Sequence, residues 1–213
     1  MHIDHIFIFS TEKGKEADAL VEFGCVESEG RIHTGQGTAN RKFHFGSFFL
    51  EILWVHDEQE IQSARTGVTK LYERSKGDET GYSPFGLCLV NTEDTDILFT
   101  GAEHYQPVYF PDGKTIQFIH REKDPWLPWL FRLPFRGLHQ KPSLVNHPNG
   151  IKNVTKATFY VPEQIAGHPV AKELEAADVV FRSSEQHQLI LEFDHAKTGQ
   201  FQEFKNLSLL IQY

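Results

Sequence analysis

Ile3-Asp4-His5-Ile6-Phe7-Ile8-Phe9 alternates as a half-buried strand does, with Ile3, His5, Phe7 and Phe9 on one face and Ile6 and Ile8 on the other. Ser10 and Thr11 suit the N-cap of a helix over 12–23, whose Ala17, Leu20 and Val21 form an i, i+3, i+4 stripe able to cover a sheet. Gly24 is a natural stop for it. A second strand fits 25–32, a polar glycine-rich loop 33–40, and two more strands 41–45 and 48–56 across a tight Gly46-Ser47 turn. The order is β-α-β-β-β, and it decides the fold class.

The pattern then starts again. Residues 57–76 are polar and helix-compatible, and 77–83 form a turn-rich link. Strand 85–90, a short helix over 92–102 and a hairpin of 105–110 with 114–121 follow, with a further strand within 126–135. Residues 122–150 hold five of the ten prolines and two of the three tryptophans, so this stretch reads as irregular and aromatic. A third beginning has a strand at 153–161, a helix at 170–177, strands at 178–182 and 188–194, and a terminal strand at 207–213. Leu189-Ile190-Leu191-Glu192-Phe193 echoes Phe48-Phe49-Leu50-Glu51-Ile52, an acid inside an apolar strand late in a unit. The division is a first module over 1–56, a connecting helix and linker over 57–82, a second module over 83–150 and a further βαβββ-like module over 151–213. Whether the units number two or three stays open.

Composition narrows the function. With 39% hydrophobic and 23% charged residues, the 213-residue chain is neither a disordered polar chain nor a membrane protein. No apolar run approaches the roughly 20 residues of a membrane span, and no secretory leader opens the chain, so the expected location is cytoplasmic. A formal charge of −8 with scattered Lys and Arg argues against nucleic acid. Cys25 and Cys88 both lie beside apolar residues and read as small buried hydrophobes in a reducing compartment.

Glu51 is the most informative residue. It stands in Phe48-Phe49-Leu50-Glu51-Ile52-Leu53-Trp54-Val55, otherwise wholly apolar, where a carboxylate costs several kcal/mol unless it meets a cation, a metal, hydrogen-bond donors or a proton. Lining a cavity answers that cost; pointing to water from an edge strand, or pairing with an arginine, are the alternatives. His5 gains interest because a neighbouring strand can bring it to Glu51. In the loop, Gly35 and Gly37 permit close backbone approach, His33, Thr38 and Asn40 offer directional hydrogen bonds, and Arg41 adds charge. An ordinary turn closed by its own Asn and Thr is the other reading. The loop continues into neither a dinucleotide fingerprint nor a P-loop. His147-Pro148-Asn149-Gly150 reads first as a turn, with His147 a candidate ligand-binding residue. Trp126, Trp129 and Phe131 read first as core packing and second as a pocket wall or interface.

Asp4-His5-Ile6-Phe7, His33-x-Gly35-x-Gly37-Thr38-Ala39-Asn40-Arg41 and Phe49-Leu50-Glu51-Ile52 together resemble the glyoxalase-like branch of the vicinal oxygen chelate superfamily, firmly over residues 1–56. The resemblance implies an α+β fold of repeated βαβββ modules, forming curved mixed sheets around a cavity. It implies a divalent metal held by a histidine of the first strand and a glutamate of the fourth, plus an equivalent pair from another unit. His5 and Glu51 match the first pair, with Glu51 also the catalytic proton carrier. The second pair is unmatched: Phe85 stands near the second histidine's place and Lys156 or Ala157 at the comparable place in the third beginning, while Glu192 is the remaining acid. Half of the ligand set is identifiable, and a catalytic zinc normally has at least three protein ligands.

Two readings follow. One is a metal-assisted lyase, isomerase or dioxygenase-type enzyme on an oxygen-rich small molecule. The other is a metal-free binding or sequestration protein of the resistance type, with aromatic walls and His33, Thr38 and Asn40 as polar anchors. The residues leave open whether the chain is a catalyst. The partner is a small molecule, and the resemblance adds a homodimer as an option.

Overall fold

The N-terminal alternation folds as it reads. β1 (Ile3–Phe9) buries Ile6 and Ile8 on one side and His5, Phe7 and Phe9 on the other. The computed structural model describes residues 1–119, 123–137, 145–163 and 168–213. The helix expected over 12–23 contracts to a 3-10 turn at Lys15–Ala17 and α1 (Asp18–Glu22). The reason is Glu16, whose buried carboxylate accepts from the Thr11 and Glu12 N–H groups and from the Ser10 and Thr11 hydroxyls, winding the chain before a helix can start.

β2 (Glu27–His33), β3 (Thr38–Phe45) and β4 (Phe48–Val55) complete the first unit. The loop is tighter than expected, because Thr38, Ala39 and Asn40 already belong to β3 and pair with His33, Ile32 and Arg31. The single connecting helix expected over 57–76 is instead a chain of short pieces: α2 (Glu58–Ile61), a 3-10 turn, α3 (Leu71–Ser75) and α4 (Gly77–Thr80), with Lys70 in the left-handed region between them.

The second unit runs β5 (Phe85–Asn91), α5 (Glu93–Asp96), β6 (Glu103–Tyr105), β7 (Ile116–Ile119) and β8 (Trp129–Arg136). The strand expected over 105–110 ends at Tyr105, since Pro107 and Pro111 have no N–H to give a ladder. Residues 120–121 of the expected strand 114–121 lie outside the described residues, as do parts of the 122–150 stretch. The two units share one mixed sheet of eight strands in the order β2-β3-β4-β1-β5-β8-β7-β6. β1 runs parallel to β4, with His5 beside Phe49 and Phe7 beside Glu51, and antiparallel to β5, with His5 beside Cys88.

β9 (Val154–Val161), α6 (Pro169–Leu174), β10 (Val179–Ser183), β11 (Gln188–Phe193), β12 (Phe201–Phe204) and β13 (Leu209–Gln212) form a second, five-stranded mixed sheet. It does not repeat the earlier order. β9 pairs directly with β10, the strand that follows its helix, whereas β1 pairs with β4. One apolar core joins this sheet to the Ile6/Ile8 face of the large sheet, through contacts such as Phe85 on Phe159 and Phe45 on Phe193. The opposite face of the large sheet carries a second cluster around Phe7, Trp129 and Phe131. The site lies on that face.

Candidate functional site

A cavity of about 280 Å³ opens on the His5 face of the large sheet. Alternation along each strand decides what enters it: His5 and Phe7 from β1, Arg31 and His33 from β2, Asn40 and Lys42 from β3, Phe49, Glu51 and Leu53 from β4, and Trp129, Phe131, Leu133 and Phe135 from β8. Tyr109 and Phe110 of the β6–β7 connection cover it.

His5 and Glu51 face each other in this hollow, each almost fully buried, with His5 Nε2 3.8 Å from Glu51 Oε2. The His5 ring stacks on Phe49 at 4.3 Å and meets the Phe131 ring edge-on. Its Nδ1 sits 2.6 Å from Asp4 Oδ1, so the Nδ1–H is committed to that carboxylate and the Nε2 edge is left for Glu51 and the cavity. The other oxygen of Glu51 accepts from Asn40 Nδ2 and lies 4.0 Å from His33 Nε2. Asn40 is fixed in turn, its Oδ1 accepting from the Arg31 N–H at 2.8 Å. His33 Nδ1 contacts Thr38 Oγ1 at 2.8 Å. Burial drives the His33 pKa down to about 4, with Glu51 pulling the other way and Arg31, Lys42 and His5 adding to the fall; the ring is neutral at pH 7.

The turn between β2 and β3 owes its glycines to packing. Glu60 of α2 accepts from the Gly35 and Gly37 N–H groups, and the Gly37 carbonyl accepts from the His56 and Asp57 N–H groups. Gly37 has φ +77°, and a Cβ there would lie 2.4 Å from the Asp57 oxygen. From the other unit, the Tyr109 hydroxyl donates to Gln36 Oε1 at 2.7 Å, Val108 closes on Gly35, and the Arg31 guanidinium lies 4.7 Å over the Tyr109 ring. Burial raises the Tyr109 pKa, keeping its O–H a donor.

Of the residues singled out from sequence, His5, His33, Asn40 and Glu51 converge on the cavity. Thr38 lies behind the wall, holding His33 and Gln36. His147 does not reach it: the Val26 N–H donates to Nδ1, Nε2 bonds the His44 carbonyl, and the ring stacks on Phe45. Glu192 is in the other sheet, accepting from Thr155 Oγ1, because its strand pairs with β9 and β13. Arg41 points to the opposite face, bonding Asp18 and Glu27; Lys42, one residue on, faces the hollow. Phe85 faces the inter-sheet core, and Gly86 and Cys88 are the β5 residues on the cavity face. Trp129 and Phe131 are pocket wall as well as packing, while Trp126 packs against His168. Sequence reading missed Asp4 as partner of His5, Gln36, Tyr109 and the Arg31–Lys42 pair. The alternation of β2 and β3 carries the signal for the last two; the reach of Tyr109 across 73 residues carries none.

The family model described as a glyoxalase-like domain matches residues 3–176. The chain belongs to that family. Among solved structures, a hypothetical protein from Staphylococcus aureus aligns with this glyoxalase-like chain over 99% of its length and 98% of the other's, with a TM-score of 0.60 and 12% identity, a likeness of fold alone. Methylmalonyl-CoA epimerase from Mycobacterium tuberculosis aligns over 62% of this chain and 86% of that one at a TM-score of 0.38 and 14% identity. The Streptomyces coelicolor methylmalonyl-CoA epimerase (S115T) aligns over 62% and 93% at 0.36 and 20%. No curated protein matches.

The metal that the sequence resemblance implies requires a second pair of ligands, and the described residues around this cavity do not supply it. Among the described residues, β5 and β8 present Gly86, Cys88, Trp129, Phe131, Leu133 and Phe135 to the cavity face, with no imidazole and no carboxylate from either strand. Asp4, His5 and Cys88 do bring three ligand atoms within 4.8 Å of one another. Yet Asp4 and His5 bond each other directly, and burial first, then Asp4, pushes the Cys88 thiol well above its ordinary pKa, keeping the sulfur protonated.

Proposed function

We propose that this glyoxalase-like chain binds a small carbonyl compound in the cavity and moves a proton on the carbon beside the carbonyl, with Glu51 as proton carrier. One observation carries the reading: a carboxylate 6% exposed lines an aromatic hollow, between two imidazole edges and an amide that donates to it. Asn40 engages Oε1, so Oε2 is the oxygen that faces His5 and is free to take the proton. His5, oriented by Asp4, and neutral His33 flank the carboxylate where charge develops on a carbonyl oxygen. The aromatic walls exclude water from the carbanion-like state.

The test is exchange of α-protons in D2O, followed by NMR, for a panel of small 2-oxo acids and hydroxyketones. The expected result is exchange above buffer with wild type, lowered on the order of 10²- to 10⁴-fold by Glu51→Gln, which keeps the Asn40 contact. Exchange indifferent to that substitution sinks the proposal.

A second reading has its own observation. The wall contributed by β8 is wholly apolar, Trp129, Phe131, Leu133 and Phe135, which suits a protein that holds its ligand without turnover. That reading expects ligands that raise the melting midpoint, are recovered chemically unchanged, and show no exchange.

A further inference from the structure

The cavity holds two cations without a carboxylate partner. Arg31 and Asn40 are cross-strand neighbours on β2 and β3, and Lys42 is the next residue of β3 on the same face, opposite Glu51 in the β3–β4 register. Neither Arg31 nor Lys42 forms an ion pair among the described residues, although the chain has 29 acidic side chains against 21 basic ones. Arg41 pairs with Asp18 and Glu27, and Arg132 and Arg136 with Asp96, whereas Arg65, Arg74 and Arg182 also form no ion pair among the described residues. Arg31 has instead the face of Tyr109, an arrangement that positions a guanidinium without neutralising it. With histidines counted as neutral, Arg31, Lys42 and Glu51 give the side chains that line the cavity a formal charge of one positive unit, the Asp4 carboxylate standing behind His5, in a protein that is negative as a whole. Beside this polar rim lie Phe49, Leu53 and Phe131, and the whole volume of about 280 Å³ has room for roughly ten water-sized groups at about 30 Å³ each.

We infer that the ligand of this cavity is a monoanionic carboxylate with a compact apolar or aromatic body, its carboxylate held at Lys42 and Arg31 and its body against Phe49 and Phe131. The inference rests on the cavity being the ligand site but not on Glu51 carrying a proton. A carboxylate matches one surplus charge. A dianionic phosphate would leave one negative charge beside Glu51 unanswered, and a neutral ligand would leave both cations partly desolvated with nothing gained. The arrangement also draws anions toward the opening against the repulsion of the overall charge.

The test compares phenylacetate with phenylacetamide, alike in shape and differing in charge, by calorimetry on the full chain. The expected result is phenylacetate binding on the order of tenfold more tightly at low ionic strength, an advantage that shrinks as salt is raised. In Lys42→Met, and more fully in Lys42→Met/Arg31→Met, the ratio should fall to about one, while phenylacetamide still raises the melting midpoint as in wild type, showing that the variants are folded. Equal affinities in wild type, an acid preference that survives the double substitution, tighter binding of phenyl phosphate, or no binding of either probe would overturn it. Glu51→Gln separates the two proposals: acid preference without Glu51-dependent exchange supports this one and removes the other, and the reverse result does the opposite.

Discussion

At the scale of single residues, the site is a set of fixed orientations around one carboxylate. Glu51 was legible because an acid in an apolar strand must be answered by something, and Phe7 pairing beside it fixes which face it shares with His5. Asp4 was not legible as a partner, since neighbours on a regular strand point apart; the register irregularity between Ile3 and His5 lets the two side chains meet. Asp4→Asn is expected to leave binding nearly unchanged and to slow α-proton exchange on the order of a hundredfold, with a shifted pH profile, as the Nδ1–H exchanges a charged acceptor for a neutral amide. A profile and rate like wild type would remove Asp4 from that role. His147 and Glu192 misled because motif and echo record residue type and position, while their hydrogen bonds belong to the other side of the sheet and to a different sheet.

At the scale of elements, the turn at Gly35-Gln36-Gly37 locks the first unit to its connecting segment. Gly37→Ala meets backbone at 2.4 Å and a positive φ, and should cost on the order of 3 kcal/mol, read as a lower denaturation midpoint with an unchanged m-value. The turn entering β11 holds His187, half-buried against Phe85, its buried ring nitrogens without a partner among the described residues and its pKa lowered to about 4 by burial and then by Arg74. The unfolded chain takes up this proton near pH 6.5 and the folded chain not until about 4, so stability falls as pH drops through that window and levels below it. His187→Phe should make the fall shallower, measured as melting midpoint against pH; an unchanged slope would show that the ring is not held neutral. The first strands were readable because their period is clean. The helices and the strand expected over 105–110 were not, because the bonds of Glu16, the left-handed Lys70 and the missing N–H groups of Pro107 and Pro111 redirect the backbone in ways that no periodicity records.

At the scale of the whole molecule, the large sheet is used on both sides: one packs on the five-stranded sheet, the other holds the hollow. The sequence showed a third beginning but not its rearranged pairing, since which strand neighbours which is a long-range outcome. Ending the chain after Gly150 uncovers Ile6, Ile8, Leu50 and Ile52, and the shortened protein should bind hydrophobic dyes and lose cooperative melting. A sharp two-state transition in that fragment would show the second sheet to be dispensable. The covering of the hollow by Tyr109 has a kinetic consequence. A strap rooted in one unit and fastened to Gln36 of the other borders the opening, so loosening it should speed the passage of quite different guests alike. Tyr109→Phe, which unfastens that tie, should quicken capture and escape together and leave their ratio nearly where it was.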